Sequence, residues 1–224
     1  MSYAQLGEAL VALNRHGGWM VWNLFLAFIP FALSFWLFRW PSRTRGSLQA
    51  PKLSVVWWLG LVIFILFLPN APYLLTDIIH LIKAIQTGYS IWTIILVLIP
   101  VHSLVILVGF EAYVISLINQ GIFLSQFGGS RLISIGELAV HALCAIGIFL
   151  GRFYRFNSWD LIADPTNLIL STLNALTARQ PLVVMALTFV VLTLFYWIMK
   201  QLTLGLVLQF QAAQRRARQP MISK

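Results

Sequence analysis

Asp77 and His80 stand three residues apart in the segment Phe67-Leu68-Pro69-Asn70-Ala71-Pro72-Tyr73-Leu74-Leu75-Thr76-Asp77-Ile78-Ile79-His80-Leu81. On a helix that spacing puts both on one face, so a carboxylate and an imidazole could address one ligand, as an acid/base couple or as two metal ligands. Asn70 and Tyr73 add amide and hydroxyl groups just upstream. A second segment, Gly151-Arg152-Phe153-Tyr154-Arg155-Phe156-Asn157-Ser158-Trp159-Asp160, carries two planar guanidinium forks suited to phosphate or carboxylate. Asp160 is a further acid there, and Asn157 and Trp159 are donors. Asp77, His80 and Asp160 are the candidate catalytic groups; Asn70, Tyr73, Arg152, Arg155, Asn157 and Trp159 are the candidate substrate-binding ones. The plainer account of the first segment is a capped interfacial helix whose Asp and His face water. That of the second is a pair of arginines complementing a helix C-terminus and snorkelling to headgroups.

Four more ionisable side chains, His102, Glu111, Glu137 and His141, fall inside apolar runs. Charge inside a bilayer is costly and suggests function by default. Glu137 and His141 are four apart and share a helical face. His102 and Glu111 are nine apart, so an ideal helix sends them to opposite sides. They suit a proton or ion relay, or neutral hydrogen bonding between helices with the glutamates near the inner interface. Gly147 and Gly151 form a G-x-x-x-G pattern, which favours close helix packing.

The composition decides what holds these groups. Of 224 residues, 60% are hydrophobic and 9% charged, far below the quarter or so of a soluble domain, so lipid must be the solvent for most of the outer surface. The net charge of +9 does not imply nucleic acid, because the basic residues cluster at the ends of apolar runs, where they anchor helices and meet anionic headgroups. The one cysteine, Cys144, lies in an apolar run and reads as a small buried side chain. Phosphate-loop, H-E-x-x-H and G-x-S-x-G patterns are absent from the sequence.

Five apolar runs are long enough for a hydrocarbon core about 30 Å thick: 19–38, 53–68, 91–118, 133–150 and 182–199. They are continuous rather than alternating, so the expected fold is an all-α, polytopic transmembrane helix bundle forming one integral membrane domain, 1–224. Pro69 should end the second span and Asn70 cap a short interfacial helix, about Ala71 to Ala84. The polar connections 69–90 and 151–180 would lie on one side with the 1–18 tail. That side holds Arg15, Lys83, Arg152, Arg155 and Arg179. The other side holds Arg39, Arg43, Arg45, Lys52, Arg131, Lys200, Arg215, Arg216, Arg218 and Lys224, with a basic tail at 211–224. Ten against five puts the latter in the cytoplasm and the N-terminus outside. The first run has arginines directly after it and no basic stretch just before it, which fits a retained anchor rather than a cleaved signal.

The two polar segments also resemble a known family. Pro69-Asn70-Ala71-Pro72-Tyr73, Thr76-Asp77, His80-Leu81, Gly151-Arg152-Phe153, Arg155 and Asn157-Ser158-Trp159-Asp160 are similar to the signature segments of the DUF1361 family, multi-pass membrane proteins of bacteria. The resemblance implies location in a bacterial inner membrane and carries no activity or cofactor to transfer. Three functions stay open: an enzyme acting on a lipid or lipid-linked anionic substrate, a small proton- or ion-coupled transporter, and a non-catalytic assembly protein. The two segments should form one site at the outer face, with Asp77 close to Arg152 or Arg155.

Overall fold

A computed structural model describes residues 3–39 and 54–218. Arg43, Arg45, Lys52 and Lys224, used above for orientation, lie outside the described residues, as does most of the 39–52 connection. Within them the chain is helical, and five helices are long and apolar enough to cross a membrane. α1 runs Tyr3–Ser34 and closes with a π turn, Phe35–Arg39. α2 spans Val55–Gln86, α3 Ile91–Leu124 and α4 Ser130–Tyr154. Two short helices follow, α5 (Asp160–Ala163) and α6 (Pro165–Thr177), before α7 (Arg179–Arg218).

α1 starts well before the apolar run at Trp19. In its first turns the small residues face inward, and buried Ala12 packs with Ala84, Ile94 and Leu98 of α2 and α3. Glu8 holds that end: one carboxylate oxygen accepts from the Ser90 N–H (2.7 Å) and the other from the Thr93 hydroxyl (3.0 Å). At the far end, the Arg39 Nε donates to Asn119 Oδ1 (2.7 Å) and the Asn119 amide donates to Ser34 Oγ (2.9 Å). α1 and α3 therefore run parallel over their whole length, with α2 antiparallel to both. Trp57 at the start of α2 donates to the Leu37 carbonyl (3.0 Å).

The regular α-helix does end at Phe67, and Leu68-Pro69 is a turn, but the chain does not leave the line of the helix there. Pro69 has φ −60°, ψ −22°, and the helical path continues through Leu74 and Asp77 to Gln86. A proline removes one backbone donor and tightens the local winding. Here Ala71 N bonds back to Leu68 O (3.2 Å), three residues rather than four. That leaves the Phe67 carbonyl to the Asn70 side chain, whose amide donates to it (2.9 Å). Asn70 thus mends a wound turn instead of capping a new helix. The stretch after it stays against α1 and α3: Leu74 packs on Gly109, where a Cβ would collide with it, and Asp77 faces Asn23. The short helix expected after the second span is present as Ile78–Gln86, preceded by the turns Asn70–Tyr73 and Leu74–Asp77, and it continues the line of α2 rather than lying apart from it.

α4 lies antiparallel to α3, and α7 antiparallel to α4. The core between them contains Phe64, Leu74, Phe110, Tyr113, Leu117, Cys144, Leu192 and Tyr196. Large apolar side chains such as Val56, Trp58, Leu59, Leu104, Leu107, Leu187 and Leu194 are exposed, the surface expected of helices solvated by lipid.

Candidate functional site

α4 approaches α2 through its two glycines. A Cβ on Gly147 would lie 2.8 Å from both Cβ and Cγ of Pro69, and one on Gly151 would lie 3.4 Å from the Tyr73 ring and from the Phe156 carbonyl. The G-x-x-x-G pattern is therefore the contact that brings the two polar segments together. A π turn, Leu150–Tyr154, follows. The chain then stops in a left-handed residue, Arg155 (φ 60°, ψ 28°), whose N–H bonds to the Leu150 carbonyl. A non-glycine residue there costs about 1–3 kcal/mol; the turn steers 156–158 back over α2. The Asn70 amide donates to Ser158 Oγ (2.9 Å), and the Arg152 Nη1 donates to His80 Nε2 (3.3 Å). A guanidinium can only donate, so Nε2 of His80 accepts and its ring carries the proton on Nδ1.

Between the segments lies a cavity of about 690 Å³. Asn70, Tyr73, Asp77 and His80 line it from α2, and Arg155, Asn157 and Ser158 from the turn after α4. Its apolar wall includes Leu26, Ile65, Leu66, Leu143, Ile146 and Leu150. Asp77 is only 1% exposed; its Oδ2 receives a long bond from the Asn23 amide (3.5 Å), and its Oδ1 has no hydrogen-bond partner. Ion pairing of Asp77 with Arg152 or Arg155 does not occur. The only ion pair among the described residues is Lys200–Glu137, because Arg152 is turned onto His80 instead.

Three candidates lie outside the cavity lining. Arg152 reaches it only through His80. Asp160 accepts from the Asn157 N–H (2.6 Å) and so fixes the turn. Trp159 is 42% exposed beside it. Sequence reasoning in turn passed over Trp19, Trp22 and Asn23 of α1, which form the third wall. The Trp19 ring lies 4.7 Å from that of His80. An asparagine inside an apolar run was the available signal.

The groups deeper in the bundle are bonded between helices. Glu137 Oε1 accepts from Lys200 (2.5 Å) and Tyr196 (2.6 Å) of α7, Thr203 donates to Glu111 (2.7 Å), and the Tyr113 hydroxyl pairs with His141 Nδ1 (2.6 Å). Glu137 and His141 thus face the interior together. His102 and Glu111 point apart, the first to His16 and Trp19 of α1 and the second to α7. His102 bonds the Leu98 carbonyl (2.8 Å), and its Nε2 is unpartnered. No three His, Cys, Asp or Glu among the described residues are grouped to hold a metal ion, so a metal at Asp77 and His80 would take its other ligands from elsewhere.

The family model described as "Protein of unknown function (DUF1361)" matches residues 22–194, which include both polar segments and most of the cavity wall. The chain belongs to the DUF1361 family. Comparison with curated proteins and with solved structures gives no match. In this DUF1361 protein the matched stretch begins at Trp22, so Trp19 is the one cavity-lining residue outside it.

Proposed function

We propose that this DUF1361 protein is a multi-pass protein of the bacterial cytoplasmic membrane that takes an amphiphilic ligand, a lipid or lipid-linked anionic molecule, into the cavity between α1, α2 and α4. The supporting observation is a single cavity with two unlike walls. Ile65, Leu66, Leu143 and Ile146 suit an acyl or isoprenoid chain, while Asn70, Asp77, His80 and Arg155 suit a polar head. A fork-shaped cation beside an apolar surface is the combination that an anionic lipid head matches. The excess of Lys and Arg on the connections at the other end of the bundle supports a cytoplasmic C-terminus and a cavity in the outer half. If the ligand is also a substrate, Asp77 and His80 are the acid/base pair at hand.

Native mass spectrometry of the protein released from lipid nanodiscs tests the reading. The wild type should retain one lipid-sized adduct, and Ile146→Trp, which fills the apolar wall, should lose it while keeping its melting temperature within a few degrees. Equal retention by both proteins would overturn the proposal. Loss of the headgroup from the bound lipid over time would identify turnover rather than binding.

A further inference from the structure

The lipid reading leaves one feature of the cavity unexplained. Among the described residues that line it, Asp77 is the one carboxylate, and it is poorly bonded where it stands. A carboxylate only accepts, and buried polar atoms are nearly always partnered. Yet Asp77 is 1% exposed, Oδ1 has no partner and Oδ2 has one long contact from Asn23 at 3.5 Å. Neither nearby cation is bonded to it: Arg152 directs Nη1 to His80 and makes no ion pair with Asp77, and Arg155 lies across the cavity on the turn after α4. The amide of Asn70 is spent on Phe67 and Ser158. The donor that Asp77 lacks is therefore not supplied by the walls described.

Resting on the lipid-binding reading, we infer that Asp77 receives a hydrogen-bond donor from the ligand's head, so that the site selects phospholipid heads carrying an ammonium or hydroxyl group beside the phosphate. Arg155 takes the phosphate as a planar fork, and the donor on the far side of the head reaches Asp77. The terminal torsion of an aspartate is soft, so a rotation about it presents the unpartnered oxygen to the cavity. Phosphate alone would satisfy Arg155 and leave Asp77 as it is. A head bearing both groups satisfies both walls.

Phosphatidylethanolamine, phosphatidylglycerol and phosphatidylcholine with the same acyl chains separate the terms. The first and third carry the same charges and differ in N–H donors, and the second offers hydroxyls. In competition measured by native mass spectrometry, the wild type should prefer one or both donor-bearing lipids over phosphatidylcholine roughly tenfold, equivalent to about 1.4 kcal/mol. Preference for the ethanolamine head alone names an ammonium as the donor, and for the glycerol head alone a hydroxyl. Asp77→Ala should bind phosphatidylethanolamine and phosphatidylcholine, which carry the same charges, alike. Equal binding of the three by the wild type, or a tenfold preference that survives in Asp77→Ala, would overturn this inference while leaving the cavity reading intact. Binding of none of the three would also overturn this inference, whereas the cavity reading falls only if the wild type retains no more lipid-sized adduct than Ile146→Trp. Should Asp77→Ala fail to fold, the wild-type comparison still decides.

Discussion

Replacing Gly147 by alanine tests the contact on which the site rests. The new Cβ would sit 2.8 Å from two carbons of the Pro69 ring, whereas carbon atoms pack at about 3.5–4.0 Å. α4 and α2 would have to separate by roughly 0.7–1.2 Å, and the rigid pyrrolidine ring cannot turn aside to absorb the difference. Overpacking of this kind costs about 1–3 kcal/mol. Alanine also gains up to about 1 kcal/mol over glycine inside a helix. Gly147→Ala should therefore be destabilised by roughly 0–2 kcal/mol. Gly151→Ala is the control, because its Cβ meets neighbours at 3.4 Å, close to ordinary contact. It receives a similar propensity gain, so the difference between the two variants, about 1–3 kcal/mol, reports the Pro69 collision alone. Reversible unfolding in mixed micelles supplies the measurement. Equal stabilities for the two variants would refute the close approach of α2 and α4 at this point.

Three other outcomes follow from the deeper contacts and the topology. Lys200→Met strands a Glu137 that is 15% exposed and should cost about 1–3 kcal/mol; adding Glu137→Gln should recover part of it, and a double-mutant cycle with no coupling would contradict the pairing. Tyr113→Phe removes the partner of a His141 that is 1% exposed and should cost about 1–3 kcal/mol, so an unfolding change within about 0.5 kcal/mol, the range of an inconsequential surface substitution, would contradict the hydrogen bond. In a Cys144→Ala background, Gln214→Cys should react with a membrane-impermeant maleimide in inverted vesicles and stay unlabelled in intact cells; the reverse pattern would overturn the proposed orientation.

The spans could be read from the sequence because apolar length in lipid leaves the backbone little choice but helix. The glycines of α4 were readable for a similar reason, since small residues at four-residue spacing have few uses other than close approach. The nine-residue spacing of His102 and Glu111 likewise sent them to different neighbours. Pro69 was legible in part: the regular α-helix does end at Phe67, but the chain keeps its line. Local chemistry says that it ends a helix, but the lost bonds are repaired by a three-residue turn and by the Asn70 amide, and packing on α1 and α3 holds the continuation in line. Asn23 was missed because its partner lies 54 positions away, and no periodicity in one segment reveals a contact with another. Asp77 was expected in direct or one-water contact with an arginine; the direct pair is absent, and the competing acceptor, His80, became visible only with the turn of the chain at Arg155.

The repaired turn in α2 also bears on the order in which the protein is assembled. The regular α-helical part of α2 before the turn, Val55–Phe67, is 13 residues, about 20 Å of helix against a hydrocarbon core of about 30 Å. To cross, the helix has to carry Pro69, Asn70 and Pro72 in with it. The Ser158 that engages the Asn70 amide is 88 residues further along the chain and leaves the ribosome much later. During synthesis the turn of α2 at Pro69–Pro72 therefore lacks its Ser158 contact until the end of α4 has been made, and α2 should insert less completely before then than after. Chains truncated before Ser130 should show α2 partly uninserted in glycosylation mapping, and chains extended past Ser158 should show it crossing fully; full crossing in both would mean that α2 needs no later partner.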